Sequence, residues 1–286
     1  MGVGRTVLFV PGDRPDRIAK ACATDSDAVA VDLEDAVAAP AKDRARADAV
    51  ATISTLAPRA GLLLRVNPLD GPWFAADLAA AATLLDRLAG VLVPKIEEPG
   101  QVREVDGLLA AAERAAGLPV GRTALLPIVE TARGVLAAPA IAAAADRVVT
   151  LLFGTLDLAA DLGVTPSVEG RELLHARSQV VLATAAAGLP GPIDGPHTAL
   201  DDVAGLVRSS AAARELGFTG RVVLHPRQVG PVRAAFAPSD AELERARAVL
   251  AAHDAAPGTG ALRLADGTFV DRPVVLRAAA LLGVQR

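Results

Sequence analysis

Short apolar runs recur along this chain, and seven of them close on a polar residue able to do chemistry. Asp32, Glu34 and Asp35 follow one run, and Arg65 ends the next. Lys95, Glu130, Asp157, Asp194 and His225 end the others. A parallel strand covered on both faces reads as a continuous apolar run. In a (β/α)₈ barrel the carboxyl ends of all strands open onto one mouth, where the active site sits. The pattern therefore predicts an α/β fold, a TIM (β/α)₈ barrel, and gathers distant residues at one place.

The strands are expected at 6–10, 28–33, 62–66, 90–94, 124–129, 147–153, 192–194 and 221–224, with helical segments between them. Two short helices are expected around Pro139, which should split them. Ser239 with Glu242 three residues on forms a capping box for a helix near 239–253. An open doubly wound sheet is the competitor, but no Gly-x-Gly-x-x-Gly follows the first strand. The stretch from Ala255 to Gly260 then reads as a linker. Residues 1–254 are read as the barrel. Residues 255–286 are read as a hairpin around Asp266-Gly267 and a final helix, too small to hold a core of their own.

Of the 286 residues, 52 % are hydrophobic and only 2 % aromatic, so alanine, leucine and valine must fill the core. The net charge of −4 comes from interspersed acids and bases, with no basic stripe for nucleic acid. No apolar run is long enough to span a membrane. Cys22 is the one cysteine, so no intrachain disulfide can form, which fits a cytoplasmic protein.

Glu130 and Asp157 close adjacent predicted strands, whose axes lie about 4.8 Å apart. Two carboxylates that close repel unless positive charge intervenes. Either a hard divalent cation such as Mg²⁺ sits between them, or each pairs with an arginine, Arg133 and Arg147 being the candidates. Arg65 can hold a carboxylate or an oxyanion through parallel hydrogen bonds, or pair with Glu34 or Asp35, or do both. Asp32 and Glu34 share a face if the chain stays extended and can hold a metal through its waters; Asp35 can instead cap a helix. Lys95 suits an anionic substrate, or less well a Schiff base. His225 can serve the last barrel turn or do chemistry, and His175, His197 and His253 read as surface residues. The loop from Pro11 through Gly12 and Arg14 to Arg17 places cations and N–H groups at a helix start, where phosphate can bind.

Several ordered motifs carry a resemblance. They are Leu8-Phe9-Val10-Pro11-Gly12-Asp13-Arg14-Pro15, Val31-Asp32-Leu33-Glu34-Asp35-Ala36-Val37, Arg65-Val66-Asn67-Pro68 and Val93-Pro94-Lys95. Further along stand Ile128-Val129-Glu130-Thr131, Phe153-Gly154-Thr155-Leu156-Asp157, Gly217-Phe218-Thr219-Gly220, His225-Pro226-Arg227-Gln228 and Asp266-Gly267-Thr268-Phe269-Val270-Asp271. Together they resemble the citrate lyase β-subunit-like family within the HpcH/HpaI aldolase superfamily, which includes malyl-CoA and citramalyl-CoA lyases.

The resemblance covers the chain from about Arg5 to Leu282. It implies Mg²⁺, with Mn²⁺ as an alternative, held by Glu130 and Asp157. It implies a coenzyme A thioester as substrate and a keto acid as product. Asp271, Arg65 and Glu34 are then the catalytic candidates. Arg65, Pro11, Gly12, Arg14 and Lys95 are the substrate-binding ones. The tail should act as a lid on a neighbouring subunit, in a homotrimer or hexamer, with Asp271 acting on the acyl-CoA methyl carbon. Many members carry methionine where Phe269 stands. Two other readings stand beside it: a class II-type aldolase on free hydroxy-keto acids, which would need neither the tail nor the cationic loop at 11–17, and a carrier-protein-dependent subunit of a citrate lyase-like complex.

Overall fold

The computed structural model describes residues 3–57 and 61–284. Eight parallel strands close into a barrel in sequence order. They are β1 (Thr6–Pro11), β2 (Ala28–Asp32), β3 (Leu62–Arg65), β4 (Gly90–Val93), β5 (Ala124–Val129), β6 (Leu152–Phe153), β7 (Ile193–Asp194) and β8 (Gly220–Val223). β1 pairs with β8 through Thr6 opposite Arg221, which closes the ring. The intervening helices are α1 (Pro15–Cys22), α2 (Lys42–Thr55), α3 (Phe74–Ala82), α4 (Pro99–Ala115), α5 (Ala132–Ala142), α6 (Thr155–Asp161), α7 (Leu174–Ala186), α8 (Val203–Leu216) and α9 (Val229–Phe236).

Strand residues alternate between two apolar layers, as a period of two requires. Val7, Ala28, Ala30, Leu63, Leu92, Leu126, Ile128, Leu152, Ile193 and Val222 fill the barrel interior. Leu8, Val29, Val31, Leu64, Val91, Leu125, Val129 and Val223 face the helices. Each fully buried valine or leucine contributes roughly 1.5–3 kcal/mol, and both layers are nearly free of aromatic rings. The parity matters for function. Asp32, Arg65 and Glu130 continue the inward-facing phase of their runs, so their side chains enter the mouth.

Two expected elements of the barrel differ from the fold. β6 is only Leu152–Phe153, although an isolated bridge pairs Leu125 with Val148. Pro139 does not split its helix: α5 runs through it, because Val135, Ala138, Ile141 and Ala142 form one buried face.

The chain forms two compact units, Met1–Phe236 and Ala237–Arg286, so the division falls one helix ahead of the compositional linker. In the second unit, α10 (Asp240–Ala255) packs on α11 (Arg272–Leu282) beside the antiparallel pair β9 (Ala261–Arg263) and β10 (Phe269–Asp271). Ala246, Val249 and Leu250 meet Val270, Val275, Ala278 and Ala279 in a small core. The tail alone lacks the surface to bury, and α10 supplies it. Ser239 and Glu242 make the expected capping box at the start of α10.

Candidate active site

Arg65 ends β3 opposite Asp32 at the end of β2. Its Nε and Nη2 donate to the two Asp32 oxygens at 2.7 and 2.6 Å, a bidentate pair. Asp32 also accepts the N–H groups of Glu34 at 2.8 Å and Ala36 at 3.2 Å, so it shapes the turn as well as aiming Arg65. Arg65 Nη1 lies 2.6 Å from Glu34 Oε2 as an ion pair, and the guanidinium stacks 5.1 Å above the Phe9 ring. The edge of Arg65 suited to gripping a carboxylate is thus spent on Asp32. What remains for a ligand is the N–H capacity at its tip, which fits one oxygen better than a planar fork. Burial disfavours the Arg65 charge, but Asp32 and Glu34 outweigh it and hold its pKa above the ordinary value.

Glu34 is 3 % exposed and sits between two cations. Its Oε1 accepts from Lys95 Nζ at 3.0 Å while Oε2 faces Arg65. Burial pushes its carboxyl pKa up, against the pull of Arg65. Asp35 is exposed and caps no helix among the described residues. Lys95 Nζ is held protonated by Glu34, its pKa raised despite partial burial, which removes the free amine that a Schiff base would need.

Glu130 is 2 % exposed at the end of β5. Its Oε1 accepts the Lys95 backbone N–H at 2.9 Å. Burial first, then the nearby charges of Glu34 and Asp157, raise its pKa to about 8. Neither candidate arginine neutralises it. Arg133 pairs with Glu97 at 3.6 Å, and Arg147 lies at the opposite barrel end with Glu113 and Asp106. Asp157 lies half-buried in the first turn of α6. Gly154 makes room for Glu130, since a Cβ there would stand 2.3 Å from Oε2. Buried Glu130, without an ion pair among the described residues, and half-buried Asp157 beside it offer oxygen donors that suit a hard divalent cation. Among the described residues no cluster of three or more His, Cys, Asp and Glu forms a metal cage. Mg²⁺ asks for no such cage, taking one or two carboxylates and completing its shell with water and substrate.

Gly12 at the end of β1 donates to the Asp32 carbonyl at 2.8 Å, and a Cβ there would strike Leu33 and that carbonyl. Pro11 closes β1 opposite Asp32, and Arg14 beyond it is held loosely by Asp16 at 3.3 Å. Asp271, in the second unit, caps α11 by accepting the Val274 N–H at 3.3 Å and is half-buried.

Other end-of-run residues stand away from this cluster. Asp194 follows the inward-facing Ile193 and so points outward, where Arg177 at 2.9 Å and Arg221 hold it behind the barrel wall. His225 accepts the Arg227 N–H through Nδ1 and serves the last barrel turn. His197 is half-buried rather than a surface group, with Nε2 3.7 Å from Asp202.

Sequence reasoning missed the support beneath the acids. Buried Lys42 donates to the Leu33 and Glu34 carbonyls and to Asn67 Oδ1, each at 2.7 Å, and its ammonium lies 5.2 Å from the Trp73 ring. Asn67 in turn donates to the Leu33 carbonyl at 2.9 Å and to Asp77. This fixes the backbone that carries Glu34. A signal existed: a lysine in the first turn of α2 opposes the helix dipole, which argues for another use.

Residues 5–226 match the HpcH/HpaI aldolase/citrate lyase family. This chain belongs to that family. It is an enzyme of the lyase class. Citrate lyase subunit beta of Leuconostoc mesenteroides subsp. cremoris is 35 % identical over 97 % of this chain and 92 % of its own length. An L-malyl-CoA/beta-methylmalyl-CoA lyase of Cereibacter sphaeroides is 34 % identical over 90 % of this chain and 86 % of its own. The crystal structure of CitE from Mycobacterium tuberculosis, in complex with magnesium, acetoacetate and coenzyme A, superposes with a TM-score of 0.81 at 35 % identity, covering 98 % of this chain and 97 % of that one.

Proposed function

We propose that this lyase cleaves, or in reverse forms, a 3-hydroxyacyl-CoA thioester of the malyl-, citramalyl- or citryl-CoA kind, with Mg²⁺ bound by Glu130 and Asp157. The observation that carries the reading is Glu130: a buried carboxylate at the mouth, crowded by two other acids and without an arginine ion pair among the described residues. Mn²⁺ fits the same oxygen donors. When bound, the cation supplies positive charge beside the oxygens of the keto acid.

In cleavage the hydroxyl passes its proton to solvent and becomes the carbonyl of the keto acid as the bond between the second and third carbons breaks. The bonding pair passes into the thioester as an enolate, and the enolate carbon then takes a proton. Arg65, aimed by Asp32, presents its tip to the developing oxygen charge. Glu34 keeps Arg65 and Lys95 apart and oriented. Lys95 offsets the negative charge of the substrate. Pro11, Gly12 and Arg14 border the path of the coenzyme A chain, Arg14 being exposed enough to meet a phosphate. Asp271, brought by the lid of a neighbouring subunit, exchanges the proton with the enolate carbon. On this reading the protein works as a homotrimer or hexamer, for which exposed Leu136 (76 %), Val168 (87 %) and Leu182 (65 %) offer apolar surface.

The test is turnover on malyl-, citramalyl- and citryl-CoA against the free hydroxy acids, with and without a chelator. Mg²⁺-dependent cleavage of one thioester is expected. Equal turnover of a free acid would favour the aldolase reading. An Asp271→Asn variant at full rate would remove that residue from proton transfer. The name of the Leuconostoc relative, a subunit, keeps a second reading in play, in which a carrier protein presents the acyl group. A lyase assay on the lone chain after gel filtration separates the two.

A further inference from the structure

Lys95 has φ 53°, and it is the one residue other than glycine with a positive φ among those described. The left-handed region strains an ordinary L-residue, whose Cβ crowds the following carbonyl oxygen. Such a conformation persists only where its surroundings over-determine it, and it clusters at functional sites.

The kink has a visible consequence. It directs the Lys95 N–H at Glu130 Oε1, 2.9 Å away. The following N–H, of Ile96, donates to the Ile128 carbonyl at 3.3 Å, so two successive residues are tied to β5. The Ile96 carbonyl is wedged from behind by Gly134 of α5, where a Cβ would come within 2.5 Å of it. The Lys95 side chain then crosses the mouth and anchors on Glu34 at 3.0 Å. Among the described residues, the Lys95 N–H is the one hydrogen-bond donor to the Glu130 carboxylate.

We propose that Lys95 is a positioning residue whose left-handed backbone fixes the Glu130 carboxylate for the metal. The inference rests on the reading of Glu130 as a metal ligand. It assigns to the main chain a task that the lysine charge alone would not perform.

The comparison of Lys95→Gly with Lys95→Ala isolates the backbone, because both remove the ammonium and only glycine keeps a positive φ without strain. Mn²⁺ titration followed by electron paramagnetic resonance reads the first consequence. Glycine should keep the wild-type affinity within about twofold. Alanine, free to relax out of the kink, should lose about tenfold or more, as for other groups that orient a metal ligand. Thermal melting without metal reads the second, with the glycine variant about 2–4 °C above the alanine one. Equal Mn²⁺ affinities in the two variants would overturn the proposal. So would an alanine variant as tight as wild type, or a melting order that is level or reversed. If wild type itself takes up no Mn²⁺, the metal reading fails, and with it the purpose assigned to the kink. The melting order would still report separately whether the kink stores strain.

Discussion

Replacing Asp32 with asparagine tests how the barrel mouth holds Arg65. Each Asp32 oxygen accepts one Arg65 donor and one main-chain N–H. Whichever side the new amide nitrogen takes, it faces one guanidinium donor and one backbone donor. Two hydrogen bonds to the carboxylate charge, one from Arg65 and one from the main chain, are lost together. A hydrogen bond to a charged group is worth about 1.5–3 kcal/mol, and an unsatisfied buried donor costs about 1–3 kcal/mol. With Asp32 1 % exposed, water cannot repair the loss. The expected destabilisation is about 3–5 kcal/mol, the range for a broken buried pair. Arg65 would keep its contacts with Glu34 and Phe9 but lose the restraint that sets its angle. A displacement on the scale of an ångström costs about a hundredfold in rate. Urea unfolding gives the first quantity, and kcat/KM on the preferred CoA thioester, measured on the folded fraction, gives the second. A variant that loses less than about 1 kcal/mol and keeps a third or more of kcat/KM would refute the claim that Asp32 aims Arg65.

Acid should expose a separate support at the other end of the barrel. Burial alone would raise the pKa of Glu113, but Arg147 and the N–H groups of Thr123 and Gly121 together outweigh it and lower the pKa to about 2. A carboxylate whose pKa is lowered on folding stabilises above its unfolded value and loses that contribution as pH falls toward 2, here about 3 kcal/mol. Glu113→Gln should therefore flatten the acid limb of a stability-against-pH curve, measured by urea unfolding from pH 7 to 2; an unchanged limb would refute it. Gly154→Ala should weaken Mg²⁺ binding in calorimetry by about tenfold or more, because the added methyl lies 2.5 Å from the Glu130 Cβ as well as against its Oε2. Unaltered affinity there would mean that Glu130 is free to move. Glu130→Gln with undiminished affinity would remove Glu130 from the metal shell altogether.

The sequence by itself determined the barrel, because runs of valine, leucine and alanine buried on both faces leave few other arrangements. It also marked Arg65, Lys95, Glu34 and Glu130, since a charged residue at the end of such a run has a mouth to enter. What it left open was direction. Asp194 ends a run in the same way, yet one step of strand parity turns it outward onto Arg177 and Arg221. Only the closed ring sets that parity. Tertiary structure also decided the pairings, because Asp32 meets Arg65 and Lys95 meets Glu34 across strands that are distant in the chain. Gly134 became legible only as a neighbour of the backbone it holds. Local pattern fixes which residues are buried, while long-range closure fixes which of them touch, and the chemistry of this mouth depends on the touching.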